Sequence, residues 1–310
     1  MSGAPDIVCL GEPMAEFCRD GGPESRSYRL GVGGDTSNAA IAAARQGASV
    51  GYVTALGQDR FGDRIVQLWA EEGVDASAVV RNPDAPTGLY IIDPDPAERH
   101  FSYFRAGSAA SRLRADDLPR DYLARTAILH VTGITVAVSQ TLRDAAFAAM
   151  ALVRGCGGEV SYDTNLRLKL WDLETARVQT ERAARLATVV VTSIEDADAL
   201  FGLSDPSGIC AHVGALGPRI VIVTLGAEGA LISVDGETGS IPPAPAQPVD
   251  STGAGDSFTG AFLAWWRETG DPWQAARRAA IVAAGTVSGL GAVDPIPRRD
   301  AVLAATAGKP

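Results

Sequence analysis

Short apolar runs alternate along the chain with longer segments in which apolar, mostly alanine, positions recur at helical spacing. DIVCLGE (6–12) reads as a buried strand, DTSNAAIAAARQG (35–47) as a helix with start residues Asp35 and Thr36 and a stop at Gly47, and ASVGYVTALG (48–57) as a second strand. DRFGDRIVQLWAEEGV (59–74) predicts a helix ending at Gly73. Strand and helix then alternate again through AILHVTGI, a long helix to Arg154, EVSYDTN, a helix near 174–187, ATVVVTSI, a helix to Phe201, and RIVIVTLG. GALISVD adds one more strand, and three helices finish the chain, with DPWQAARRAAIVAAGTVSGLG expected to be the longest. This regular alternation predicts an α/β fold, a doubly wound and mostly parallel sheet flanked by helices on both faces.

Two stretches break the alternation. AEFCRD and SYRLGVGG are short strand material around the turn residues Gly21, Gly22 and Pro23, and TGLYIIDPDPAERHFSYFR (87–105) is two alternating runs about the turn DPDPAE, a hairpin signal. They predict a small β-sheet lid, with strands drawn from about 13–33 and 79–106, on a single domain spanning 1–310.

Composition narrows the partners. With 27 Lys and Arg against 37 Asp and Glu, the net charge of −10 opposes binding to nucleic acid and to anionic lipid surfaces. An anionic ligand would need a few local arginines. Cys9, Cys18, Cys156 and Cys210 are widely spaced without a CxxC pair, which predicts reduced core thiols rather than a zinc site or disulfide framework. MSGAPDIVCLGE lacks the basic region of a signal peptide, and no run reaches the ~20 apolar residues of a membrane helix. A soluble, cytoplasmic protein is expected.

Common site motifs fail on inspection. The one Gly-Lys pair, Gly308 and Lys309, has Leu303 where a P-loop needs its first glycine, and Gly31 and Gly33 are followed by Thr36 rather than the third glycine of a dinucleotide site. GASVG (47–51) matches GxSxG, but Ser49 lies between a helix and a following strand, the reverse of a nucleophile elbow. His100, His130 and His212 show no metal spacing.

PVDSTGAGDSFTGAF (248–262) is different. Gly253 and Gly255 let a ligand approach the backbone, and the helix that follows supplies unpaired N–H groups and a positive dipole end. That is an anion site with Asp256 beside it. Such an arrangement suits phosphoryl transfer, with Gly253, Ala254 and Gly255 N–H groups taking up charge and Asp256 accepting the proton of an attacking hydroxyl.

DSTGAGDSFTGAFL resembles the C-terminal signature of ribokinase-like (PfkB) carbohydrate kinases, and GVGGDTSNAAIAAARQGASVGYVTALGQDRFGD (31–63) resembles their N-terminal signature. The resemblance implies a doubly wound sheet with a β lid, ATP as donor with Mg2+, and Asp256 as catalytic base. GEPMAEF, GGDTSNAA, YFRAGSAASRL, HVTGITVAVS and YDTNLRLKLW look most like the 2-keto-3-deoxygluconate kinases of that family. They imply Gly34, Tyr90, Tyr103, Arg105 and Arg167 at a sugar-acid site, where an arginine fork suits a carboxylate. SIEDADALFG is similar to the family's NxxE segment, with Ser193 for the Asn and Asp196 for the Glu, and implies second-shell ordering of magnesium by Asp196. VTLGAEGAL implies a nucleotide-side loop at Thr224, Gly226 and Gly229. The family also admits potassium beside Asp250 and Thr252, and exposed lid edges predict a homo-oligomer. A same-fold kinase for fructose, ribose or adenosine is the alternative, and a non-catalytic sugar sensor the reading from another class.

Overall fold

The computed structural model describes residues 5–21, 24–94 and 99–307. Gly22 and Pro23 of the first expected turn, residues 95–98 of the hairpin turn, and the pair Gly308 and Lys309 lie outside the described residues. In chain order the strands are β1 (Ile7–Leu10), β2 (Met14–Arg19), β3 (Tyr28–Gly33), β4 (Val50–Val53), β5 (Ala55–Gly57), β6 (Val74–Asp75), β7 (Val80–Asn82) and β8 (Leu89–Pro94). They continue as β9 (Arg99–Phe104), β10 (Ile128–Thr132), β11 (Glu159–Asp163), β12 (Val189–Ser193), β13 (Ile220–Thr224), β14 (Ala230–Val234) and β15 (Glu237–Ile241).

Nine strands form the main sheet in the order β15-β14-β13-β12-β11-β10-β1-β4-β6, parallel from β6 to β13 and antiparallel at β14 and β15. Runs such as Ile220–Val223 are buried on both faces, as a parallel sheet requires when helices cover it. One apolar layer gathers Ile41, Phe258, Phe262 and Trp265 from the helices Asp35–Arg45 and Ala254–Thr269. On the opposite face Leu142, Phe147 and Met150 of the helix Gln140–Gly155 pack with Leu200 and Ile209. The fold is the doubly wound α/β sheet that the alternation predicts.

The four-stranded lid runs β3-β2-β8-β9, antiparallel at both outer pairs and parallel between β2 and β8. Among the described residues of the 79–106 stretch, only Leu89–Pro94 and Arg99–Phe104 join it. Val80–Asn82 instead pairs with Ala55–Gly57 in a separate two-stranded sheet.

Several local expectations change. Asp35 does not cap its helix; Gly34 is the N-cap, and the Asp35 carboxylate turns inward to accept from the Thr132 hydroxyl. The helix Pro206–Gly214 and the strand β15 escape the sequence reading, although Asp235 (φ 50°) and Gly236 (φ 90°) form the Asp-Gly hairpin turn that the sequence spells out. Pro272–Val287 is no longer than Ala254–Thr269, each having 16 residues. Cys9 and Cys210 are buried thiols and Cys18 is half-buried, but Cys156 is exposed just beyond its helix's last turn, so it is not a core thiol. Ser49 sits between a helix and β4, and no nucleophile elbow forms there. His130 is buried in β10, where loss of water pushes its pKa down to about 4, so it stays neutral.

Candidate active site

Strand order reverses at β1 and β10, and a doubly wound sheet opens its crevice beyond the carboxyl ends of the strands at such a point. Thr135, just past β10, donates from its hydroxyl to Leu10 O at 3.1 Å, joining the two strand ends. Asp163 ends β11 and Ser193 ends β12 on the same edge.

Asp256 occupies the first turn of the helix Ala254–Thr269. Its N-cap, Gly253, has φ 75° and no side chain caps the helix, which leaves first-turn N–H groups for an anion. The two glycines differ in what they clear. A Cβ at Gly253 would meet Ala292 Cβ at 2.8 Å and its Cα at 3.0 Å, so this glycine packs against the chain itself; a Cβ at Gly255 would meet nothing within 4 Å. Gly255 is the one that borders open space. Ala254 N–H is partly used, donating to Ser251 O at 3.3 Å.

The helices Asp35–Arg45 and Ala254–Thr269 cross where Gly260 lies on Ala39, close enough that a Cβ at 260 would come within 2.9 Å of Ala39 Cα. That approach brings buried Asn38 to Asp256, and Asn38 Nδ2 donates to Asp256 Oδ2 at 2.9 Å. Burial, then the charge of Asp35, push the Asp256 pKa up to about 7, while the Asn38 bond and the Arg167 charge pull it down. Asp163 accepts from Thr259 Oγ1 at 3.0 Å and from Asn165 N at 3.1 Å. Burial, then the charges of Asp256 and Asp196, push it up to about 8. Asn165 holds φ 31°, a region that Asn tolerates, and its Nδ2 reaches Asp35 Oδ2 at 3.4 Å.

Arg167 is exposed, and its guanidinium donates to Leu166 O at 2.8 Å. Among the described residues it forms no ion pair. On the lid, Tyr90 of β8 faces Tyr103 of β9 with ring centroids 5.7 Å apart, and the Tyr90 hydroxyl donates to Glu16. Burial, then Glu16, push the Tyr90 pKa well up, and the Asp256 charge also contributes, which places that ring within the field of the candidate base. Arg105 lies 5.9 Å from the Tyr103 centroid, but it is already ion-paired: its Nε donates to Glu12 Oε2 at 2.6 Å. Gly34 ends the β3 crossing beside the Glu12 backbone.

Of the residues expected on the nucleotide side, Gly253 and Gly255 flank Asp256, and the others lie at the ends of β12 and β13 and in the turns that follow. Ser193 is the N-cap of Ile194–Phe201, accepting from Asp196 N at 3.0 Å. Asp196 Oδ2 takes Thr164 Oγ1 at 2.8 Å and Leu166 N at 2.9 Å, bracing the loop that carries Arg167. Thr224 ends β13, and Gly226 and Gly229 belong to the turn into β14. Asp250 is buried; its Oδ1 accepts from Thr252 N and Oγ1 at 2.9 and 2.6 Å, and its Oδ2 from Gly291 N at 2.9 Å. Among the described residues no group of three or more His, Cys, Asp or Glu is placed to hold a metal ion. Glu12, Asn38, Asp163 and Asn165 are parts of the site that the sequence reading did not single out, although GEPMAEF, GGDTSNAA and YDTNLRLKLW contain them.

Solved structures with this architecture are ribokinase-like sugar kinases. The PfkB protein from Polaromonas sp. JS666 aligns over 97% of this chain and 100% of its own at TM-score 0.88 and 31% identity. The fructokinase with bound ATP from Xylella fastidiosa aligns over 96% and 97% at TM-score 0.88 and 28% identity. The profile of the pfkB family of carbohydrate kinases matches residues 4–299, and the chain belongs to that family. It is an ATP-dependent sugar kinase. It is 33% identical to the 2-dehydro-3-deoxygluconokinase of Bacillus subtilis strain 168 over 95% of this chain and 93% of that relative.

Proposed function

We propose that this kinase transfers the γ-phosphoryl group of ATP to the terminal hydroxyl of a sugar acid, 2-keto-3-deoxygluconate, giving its 6-phosphate. One observation carries the chemistry: Asp256, its pKa pushed up to about 7, stands at the uncapped mouth of the helix Ala254–Thr269. A base poised near neutral pH can take the hydroxyl proton as the oxygen attacks phosphorus. The bond from phosphorus to the bridging oxygen breaks, and ADP leaves with that electron pair. N–H groups at the helix mouth, chiefly those of Gly253 and Gly255, face the charge on the transferring group.

Magnesium, when bound, neutralises phosphate charge. Asp196, in the first turn of the helix Ile194–Phe201, would order the waters of an ion that arrives on the nucleotide rather than ligate it, since its Oδ2 already accepts from Thr164 Oγ1 and Leu166 N. Ser193, Thr224, Gly226 and Gly229 would flank the nucleotide. Potassium beside Asp250 and Thr252 belongs to the same reading, as does a cytoplasmic location, where ATP is available. The lid edges, with Tyr28 and Leu30 on β3 and Tyr103 and Phe104 on β9 exposed, support a homo-oligomer formed through the lid, which light scattering of the purified chain tests.

The sugar-acid choice is supported by the name of the Bacillus subtilis relative and by three groups suited to a carboxylate and hydroxyls: Tyr103, Arg105 and Arg167, the last in no ion pair among the described residues. Gly34 and Tyr90 would complete that face. A neutral sugar such as fructose is the second reading, because Glu12 already offsets the Arg105 charge.

An ADP-release assay with ATP, magnesium and a panel of 2-keto-3-deoxygluconate, its galactonate epimer, gluconate, fructose, ribose and adenosine tests both readings. The sugar acid should show the highest kcat/KM, and a preference for fructose would replace the first reading with the second. Asp256→Asn should lower kcat by about 10² to 10⁴. Retained activity in that variant would remove Asp256 as the base.

A further inference from the structure

The polypeptide crosses between the main sheet and the lid four times: at 11–13 into β2, at 33–34 out of β3, at 86–88 into β8, and at 105–108 out of β9. All four crossings meet at one residue, Glu12, three at its side chain and the 33–34 crossing at its backbone carbonyl. Glu12 is buried, with its carboxylate out of contact with solvent. Its Oε2 is held by Arg105, through Nε at 2.6 Å and through Nη2, and its Oε1 by the Ser108 hydroxyl. A Cβ on Gly88 would approach Glu12 Oε1 to 3.0 Å, and one on Gly34 would approach Glu12 O to 2.8 Å. The crossings are also tied to one another, Ala15 N donating to Gly88 O at 3.0 Å and Ala109 N to Pro86 O at 2.8 Å.

We propose that Glu12 is the positioning residue of the sugar site: it fixes the plane of the Arg105 guanidinium at the lid hinge and so sets where that arginine meets the substrate. An arginine on a four-bond stem at the end of a strand would otherwise sample many rotamers. The Nε hydrogen bond and the ion-pair contact of Nη2, both to a buried carboxylate that is anchored in turn by Ser108, narrow that choice. Nη1 makes no hydrogen bond to a described residue and is the nitrogen left for a sugar oxygen. Glu12 acts through Arg105 and does not itself touch the sugar.

The inference rests on the sugar-acid reading for the identity of the assay substrate. The informative variant is Glu12→Asp, which keeps the charge of the site and withdraws the carboxylate by one methylene. Displacing a positioned group by this much should lower kcat/KM for 2-keto-3-deoxygluconate on the order of 10-fold to 100-fold. The loss should fall mainly on the KM for the sugar, with the KM for ATP within about twofold of the parent, because uniform binding is lost at the sugar alone. In an Arg105→Met background the same Glu12→Asp change should alter the sugar KM by less than about twofold, since residues acting as a unit are not additive.

A folded Glu12→Asp protein with the parent's sugar KM overturns the proposal, even if its melting temperature falls, and so does a full further loss in the Arg105→Met background. If Glu12→Asp does not fold, Ser108→Ala takes its place. It removes the other anchor of the same carboxylate and should raise the sugar KM about threefold to tenfold with the ATP KM unmoved, as loss of one hydrogen bond to a charged group would. An unmoved sugar KM there overturns the proposal as well. A parent enzyme that fails to turn over the sugar acid is a separate result, which overturns the substrate reading first and this inference with it.

Discussion

Asn38 Nδ2 donates to Asp256 Oδ2 over 2.9 Å, and this bond ties the first helix of the chain to a residue 218 positions later. It lowers the Asp256 pKa while the Asp35 charge raises it, so the two residues three apart on one helix act in opposite directions on the same carboxylate. Removing the donor in Asn38→Ala should raise the Asp256 pKa and move the acid limb of kcat/KM to higher pH. Removing the charge in Asp35→Asn should move it lower. Both are read from pH profiles of the free enzyme's kcat/KM, where the parent limb is expected near pH 7. Shifts in the same direction for the two variants would contradict this account.

Gly253 and Gly255 should separate stability from turnover. Gly253→Ala forces a Cβ onto Ala292 at a residue with φ 75° and should destabilise the fold by about 1–3 kcal/mol, measured by denaturant melts. Gly255→Ala meets open space and should melt like the parent, yet lower kcat by filling room beside the transferring group.

Gly260 has a different task, the close approach of two helices. Gly260→Ala places a methyl within 2.9 Å of Ala39 Cα, an overpacking that costs about 1–3 kcal/mol. Because the crossing also sets the Asn38 to Asp256 distance, the variant should show the same upward move of the acid limb as Asn38→Ala.

Stability should depend on pH through two half-buried acids. Asp163 and Asp256 have folded pKa values of about 8 and about 7, both above the 3.8 of a free carboxyl, so the native state binds more protons than the unfolded chain between those limits. Stability therefore falls as pH rises from about 4 toward 8. The melting temperature of the nucleotide-free protein should decline across that window, and Asp163→Asn should flatten the decline.

Much of the fold was legible because its signals are local. Apolar runs bounded by turn residues gave the parallel strands, and their alternation with helices gave the doubly wound order. Val80–Asn82 falls in the stretch expected for the lid because three residues carry no pairing information of their own; their partner, Ala55–Gly57, is fixed only by the chain's return past β4. Asp35 departs from its expected role at the helix start for a similar reason. Propensity places an acid at a helix start, but Thr132 and Asn165, near in space and distant in sequence, claim its carboxylate.

By itself the sequence determined the α/β class, the glycine-rich helix mouth and the identity of the acid there, since each depends on residues within a turn or two of one another. Tertiary structure alone decided the pKa of that acid, set by burial and by charges from the first helix, and decided which glycine clears space for a ligand and which for Ala292. It also decided that Arg105, legible as a cation in the lid, is held by Glu12 from across the hinge. Charge and hydrogen bonding act through space over a few ångströms, and a linear pattern carries that distance only where the chain is its own neighbour.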